Sequence, residues 1–234
     1  MIFYLIFITI IILVAKHIYE IHNINYNAVL EQLQSANSEE IIEHLKERNP
    51  LLIHNLANKH EEYNDLSFEK LSDTNPGLII HDKNRYISLK SFTEEQQMYV
   101  RKNDTLYDIL RLKELFNSIY EPFQSQIHCN KNYSLSLYKG LNSIQLQQNK
   151  HNLCLIAQIY GQSKLYLFNP KHKSNIIGKS NEQIKKYGQK INLTQGLLLY
   201  IPVEWSYFYE TDMESIIGEI ESDNYFTIIY NNIR

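Results

Sequence analysis

The chain has 234 residues, of which 44% are hydrophobic, 21% charged and 12% aromatic, with a formal net charge of -3, the composition of one globular domain with a sizeable core rather than a disordered segment. The charge balance argues against nucleic-acid binding, because the densest basic cluster (Lys171, Lys173, Lys179, Lys185 and Lys186) is interrupted by acidic and polar residues. Cys129 and Cys154 are too few for a disulfide framework and lack the C-x-x-C spacing of a zinc or redox pair.

The first segment, Met1 to Ala15, carries no charge and is apolar on every side, which is a membrane signature. Neither a positive n-region nor a small-x-small cleavage site accompanies it, so residues 1–21 read as an uncleaved transmembrane anchor rather than a signal peptide. Lys16 and His17 follow the run, so the positive-inside rule places the rest of this single-pass protein in the cytoplasm. Residues 22–37 read as a helical linker. Val29, Leu30 and Leu33, then Ile41, Ile42 and Leu45, recur at helical spacing, giving two short helices stopped by Asn49-Pro50. Leu51 to Leu56 is a short buried strand, Tyr63 to Leu71 a helix, Gly77 to His81 and Tyr86 to Leu89 strands, and Ser91 to Glu95 a helix start. Leu106 to Tyr120 has one helical period.

After Pro122 the pattern changes to strands at Tyr133–Tyr138, Asn152–Tyr160, Ser163–Phe168, Ile191–Leu193, Leu197–Ile201, Tyr207–Tyr209, Ser215–Ile220 and Tyr225–Tyr230. Short strands at this spacing predict a sandwich or closed barrel. Of the histidines, His128, His151 and His172 flank these strands without H-x-H, H-x-D, H-x-E or H-x-x-x-H spacing. No G-x-S-x-G, Walker A or H-E-x-x-H motif is present.

Two stretches resemble the JmjC/cupin-like family of Fe(II)/2-oxoglutarate dioxygenases. Residues 152–170 read NLCLIAQIYGQSKLYLFNP against N-L-x-x-Q-V-x-G-x-K-x-x-x-L-F-x-P, and residues 195–207 read QGLLLYIPVEWSY against P-G-D-x-L-Y-I-P-x-x-W-W-H. Arg48 to Leu56 is similar to the family's entry strand, so the resemblance covers residues 38–234. It implies a double-stranded β-helix, a mainly β jelly-roll barrel, behind the N-terminal helices.

The family binds iron with two histidines and one carboxylate, the first two ligands arriving as H-x-D on one face of a strand. Those positions fall on Leu146 and Gln148, or on Gln147 and Asn149 with a one-residue shift. The distal histidine position is Tyr207, and the lysine that would grip 2-oxoglutarate is Ser163, with Lys164 beside it on the other face. No catalytic residue, metal ligand or cofactor is therefore expected. Gln147, Lys164, Tyr200 and Trp205 are candidates to line a pocket. The function implied is a membrane-anchored pseudoenzyme, a binding or scaffold module for an unknown protein partner. Family members often dimerise, which leaves a homodimer open. The alternative is an active Fe(II)/2-oxoglutarate-dependent hydroxylase or demethylase of protein or RNA with relocated ligands.

Overall fold

A computed structural model describes residues 2–22, 25–34, 38–54, 66–82, 85–123 and 129–233. The expectations placed on Met1, Asn55, Leu56, Tyr63 and His128 lie outside the described residues.

Helix α1 (Ile2–His22) forms where the apolar N-terminus predicts a helix. The membrane span does not follow. Among the described residues no helix is long and apolar enough to cross a membrane. The physical reason is length: the uncharged run ends at Ala15, and 15 residues rise only about 22 Å, short of the roughly 30 Å hydrocarbon core. The expected anchor, the membrane as partner and the single-pass topology with a cytoplasmic domain are accordingly withdrawn.

The linker is not wholly helical. Glu31–Leu33 forms strand β1, pairing in parallel with β2 (Leu51–Ile53), because sheet pairing overrides a weak helical spacing. Helix α2 (Ser38–Glu47) lies between them, buries Ile41, and stops where Arg48 takes a left-handed φ of 56° before Asn49-Pro50. Next come α3 (Phe68–Thr74), the hairpin of β3 (Ile79–Asp82) and β4 (Arg85–Ser88), and α4 (Leu89–Glu94). Strand β5 (Met98–Asn103) follows. The single helix expected over Leu106 to Tyr120 is two, α5 (Asp104–Ile109) and α6 (Lys113–Tyr120), divided where Arg111 adopts φ 54°.

The remaining strands are β6 (Asn130–Lys139), β7 (Asn142–Ser143), β8 (Gln147–Gln148), β9 (Leu153–Phe168), β10 (Gln189–Thr194), β11 (Leu198–Tyr200), β12 (Ser206–Thr211) and β13 (Ser215–Asp223). Short helices α7 (Lys173–Ile176) and α8 (Asn181–Ile184) join β9 to β10. The last expected strand, Tyr225–Tyr230, is instead part of helix α9 (Tyr225–Ile233), started by the Asn224 side chain accepting from the Thr227 amide at 2.9 Å.

These strands do not make the expected closed jelly-roll barrel. They form an open 11-stranded sheet in the order β1-β2-β11-β9-β13-β6-β5, with β10 and β12 also on β9, in a mixed α/β fold. Among the described residues, β1 and β5 end the path without a further strand on their outer sides. A period-two pattern reports which face a side chain takes, not whether the first and last strands meet, so the same pattern fits an open sheet.

The two strands expected on either side of Gly161 are one, β9. Its residues 153–161 pair with β13 and its residues 162–168 lie between β10 and β12. Gly161 permits this by taking φ +70°. The alternation along the strands divides the core. Leu155, Ala157, Ile159, Ile216 and Ile220 face the helices α3 to α6, while Cys154, Ile156, Ile217, Tyr207 and Tyr209 face the opposite half of the sheet.

Candidate metal centre

Glu31 sits on the edge strand β1, where the parallel register to Leu51 fixes its position beside the end of α2. His44 and Glu47 lie three residues apart on α2 and therefore share a face. Glu31, His44 and Glu47 each place one ligand atom within 4.8 Å of the other two. His44 Nδ1 is 2.8 Å from Glu31 Oε2 but out of line for a hydrogen bond, which leaves a buried ring nitrogen without one. The left-handed turn at Arg48 folds Asn49 back under the cluster. Its amide donates to Glu31 Oε1 at 2.5 Å and to Glu47 Oε2 at 3.0 Å, and its own oxygen accepts from Asn25 at 3.2 Å.

The arrangement has the parts of a divalent-cation site. Two carboxylates and an imidazole are the donor types that iron, manganese and zinc accept, and a neighbouring amide orients the carboxylates. The family ligand set would be two histidines and one carboxylate, so the balance here is reversed. The trio leaves little trace in the sequence, because His44 and Glu47 stand at an ordinary helical spacing and Glu31 joins them only through the fold.

The family positions do not fit a metal. Leu146 packs beside Phe168 and Phe208 and lines an open groove of about 760 Å³ with Ile177 and Asn181. The Gln148 amide donates to Glu204 Oε2 at 2.7 Å. Asn149 is buried, donating to the Ile201 carbonyl at 2.8 Å. Tyr207 is buried with its hydroxyl 4.0 Å from Cys154 Sγ, and burial holds its phenol well above the ordinary range, protonated. The Ser163 hydroxyl donates to Gln158 Oε1 at 2.7 Å. Of the pocket candidates, Gln147 pairs with Tyr207 across β8 and β12, while Lys164 is exposed and ion-paired to Asp212 at 2.8 Å. Tyr200 and Trp205 are buried in different core clusters. Gln147 lies opposite Tyr207, and the Asn149 backbone amide donates to the Trp205 carbonyl at 2.8 Å, whereas Leu146 and Tyr200 belong to two other core clusters.

A second cluster of charge lies on the inner face of β13 and carried no signal in the sequence reading. Lys102 Nζ is 3.1 Å from Glu219 Oε2 and 2.5 Å from Glu221 Oε1. His151 Nδ1 meets Asp223 Oδ2 at 2.7 Å, and its Nε2 is 3.5 Å from Glu221. Glu219 is fully buried and accepts from the Tyr209 hydroxyl at 2.7 Å. Burial alone would raise the Glu221 carboxyl, but Lys102 and His151 hold it below its ordinary value. Burial alone would lower His151, but the bond to Asp223 and the charge of Glu221 raise it.

The signs set a pH window. Glu221 adds stability above its unfolded value of ~4.3 that is lost as pH falls through its lower folded value. His151 adds stability below its unfolded value of ~6.5 that is lost as pH rises through its higher folded value. Thermal denaturation across pH 3 to 9 should show the combined contribution complete between roughly 4.3 and 6.5, with His151→Gln flattening the alkaline limb and, because His151 helps to hold Glu221 low, shrinking the acid limb as well. An unchanged alkaline limb in that variant would contradict the assignment.

No family model matches the chain, and no curated protein matches it at a significant level. With the sheet open as well, the terms JmjC domain, cupin and jelly roll do not describe this protein. The reading as a membrane-anchored scaffold lacking any metal site is likewise corrected, by the absence of a long apolar helix among the described residues and by the Glu31–His44–Glu47 trio.

Proposed function

We propose that the protein is a divalent-metal-dependent enzyme whose metal is held by Glu31, His44 and Glu47, and that its reaction is an Fe(II)/2-oxoglutarate hydroxylation with relocated ligands. The observation that carries the reading is the convergence of three ligand atoms within 4.8 Å, one of them a buried imidazole nitrogen lacking a hydrogen bond. Iron bound by three protein donors would keep positions open for 2-oxoglutarate and oxygen, which is the chemistry the group supplies. The chain's own part is to fix the donors: β1 and α2 place them, and Asn49 orients both carboxylates.

Titration calorimetry of the full chain with Fe(II), Mn(II) and Zn(II) tests the site. One metal per chain is expected, with binding lost in His44→Ala and weakened about 10–100-fold in Asn49→Ala. Wild-type affinity in His44→Ala would end the metal reading. Conversion of 2-oxoglutarate to succinate by the iron-loaded protein tests the reaction separately; metal binding without any turnover would leave the site standing and remove the hydroxylase assignment.

A further inference from the structure

Asn49 can orient the two carboxylates only if its own amide points the right way, because turned over it would set an oxygen rather than an N–H group against Glu31 and Glu47. The residue is buried, which leaves the choice to its protein neighbours. Asn25, outside the trio of ligands, makes that choice. It donates from Nδ2 to Asn49 Oδ1 at 3.2 Å, which fixes the oxygen on that side and turns the Asn49 NH2 group toward Glu31 Oε1 at 2.5 Å and Glu47 Oε2 at 3.0 Å.

Asn25 is polarised in the same sense. Its Oδ1 accepts from the Asn27 amide at 3.1 Å, and a backbone N–H group can only donate, so the Asn25 NH2 group is left facing Asn49. The hydrogen bonds therefore run one way, from the backbone of a turn to both carboxylates. No link can reverse without breaking the first. The turn itself is anchored: the Ala28 amide closes it on the Asn25 carbonyl at 3.1 Å, and Asn169, buried just past the end of β9, donates to the Tyr26 carbonyl at 3.1 Å. The Asn169 oxygen is occupied by the Lys171 amide at 3.0 Å, so this side chain too has one direction.

The relay leaves one oxygen of each carboxylate outside its bonds. On Glu31 that atom is Oε2, 2.8 Å from His44 Nδ1, on the side where the ligand atoms converge. Asn25 itself is exposed, and its one direct contact with the trio is a long one, 3.5 Å to the Glu47 carbonyl.

We propose that Asn25 is a positioning residue for the metal site, a role that rests on the reading of Glu31, His44 and Glu47 as ligands. It acts through Asn49: by fixing the direction of that amide it holds both carboxylates in the geometry a cation needs.

The Zn(II) affinity of the full chain, measured by competition with a chromophoric chelator in wild type, Asn25→Ala, Asn49→Ala and the double variant, tests the role. Asn25→Ala should bind about 3–10-fold more weakly than wild type, the worth of one neutral hydrogen bond. In the Asn49→Ala background the same change should cost less than about twofold, since the group it acts through is gone. A loosened turn would instead weaken both backgrounds alike. The visible bands of the Co(II)-loaded chain, which follow ligand geometry, should move in Asn25→Ala in the direction they move in Asn49→Ala. Wild-type affinity or unmoved bands in Asn25→Ala, or equal losses in the two backgrounds, would overturn the positioning role and leave the metal site standing. Failure of the wild type to bind Zn(II) would remove both the metal site and the role of Asn25.

Discussion

Lys102→Met is expected to destabilise the protein by about 3–5 kcal/mol, because it strips the cation from two carboxylates on the inner face of β13. Glu219 sets the size of the effect. It is fully buried, and two hydroxyl groups do not replace a charge at 3.1 Å. Urea denaturation at pH 7 measures the loss. Adding Glu219→Gln and Glu221→Gln to the same variant should recover most of it, since neutral amides carry no charge to strand. A loss below about 1 kcal/mol would mean that water screens these carboxylates as it does a surface pair.

Gly161→Ala is the second change with a large expected effect, roughly 2–5 kcal/mol. A left-handed φ costs an alanine about 1–2 kcal/mol, and overpacking adds about 1–3. A β-carbon at Gly161 would come within 2.0 Å of the Glu214 carbonyl oxygen, which belongs to the backbone and cannot rotate away. Gly178 is the internal control. Its φ of +74° is nearly the same, but nothing lies within 4 Å of a β-carbon there. Gly178→Ala should therefore show the conformational cost alone, and the difference between the two variants in chemical denaturation isolates the clash. Equal losses would refute the steric account.

The two positions illustrate what could be read from the sequence. Gly161 was legible as the pivot of a β segment, but whether the chain turns back there or continues as one strand depends on the partners, and β10 and β12 carry it onward. Ser215–Ile220 was legible as a strand, but the strand runs on to Asp223, and Glu219, Glu221 and Asp223 at period two would ordinarily be taken for a solvent face. Their cation lies 119 residues earlier than Glu221 and reaches them through a bulge that no local pattern encodes. The candidate metal site was half legible. His44 and Glu47 stand at i and i+3 of a helix whose apolar spacing was plain, whereas Glu31 joins them only because β1 pairs with β2 on the far side of that helix. The strand expected at Tyr225–Tyr230 is a helix: Tyr, Phe, Thr and Ile favour strands, and one capping asparagine reversed the outcome.

The length of β9 has a consequence for how the molecule comes apart. A single run of backbone, Leu153 to Phe168, holds β11 and β13 along its first half and β10 and β12 along its second. Neither half of the sheet can therefore be peeled away while the other keeps its own central strand fully clamped. Opening one end loosens the template for the other, so the chain is wired to lose its order in one cooperative step rather than in two.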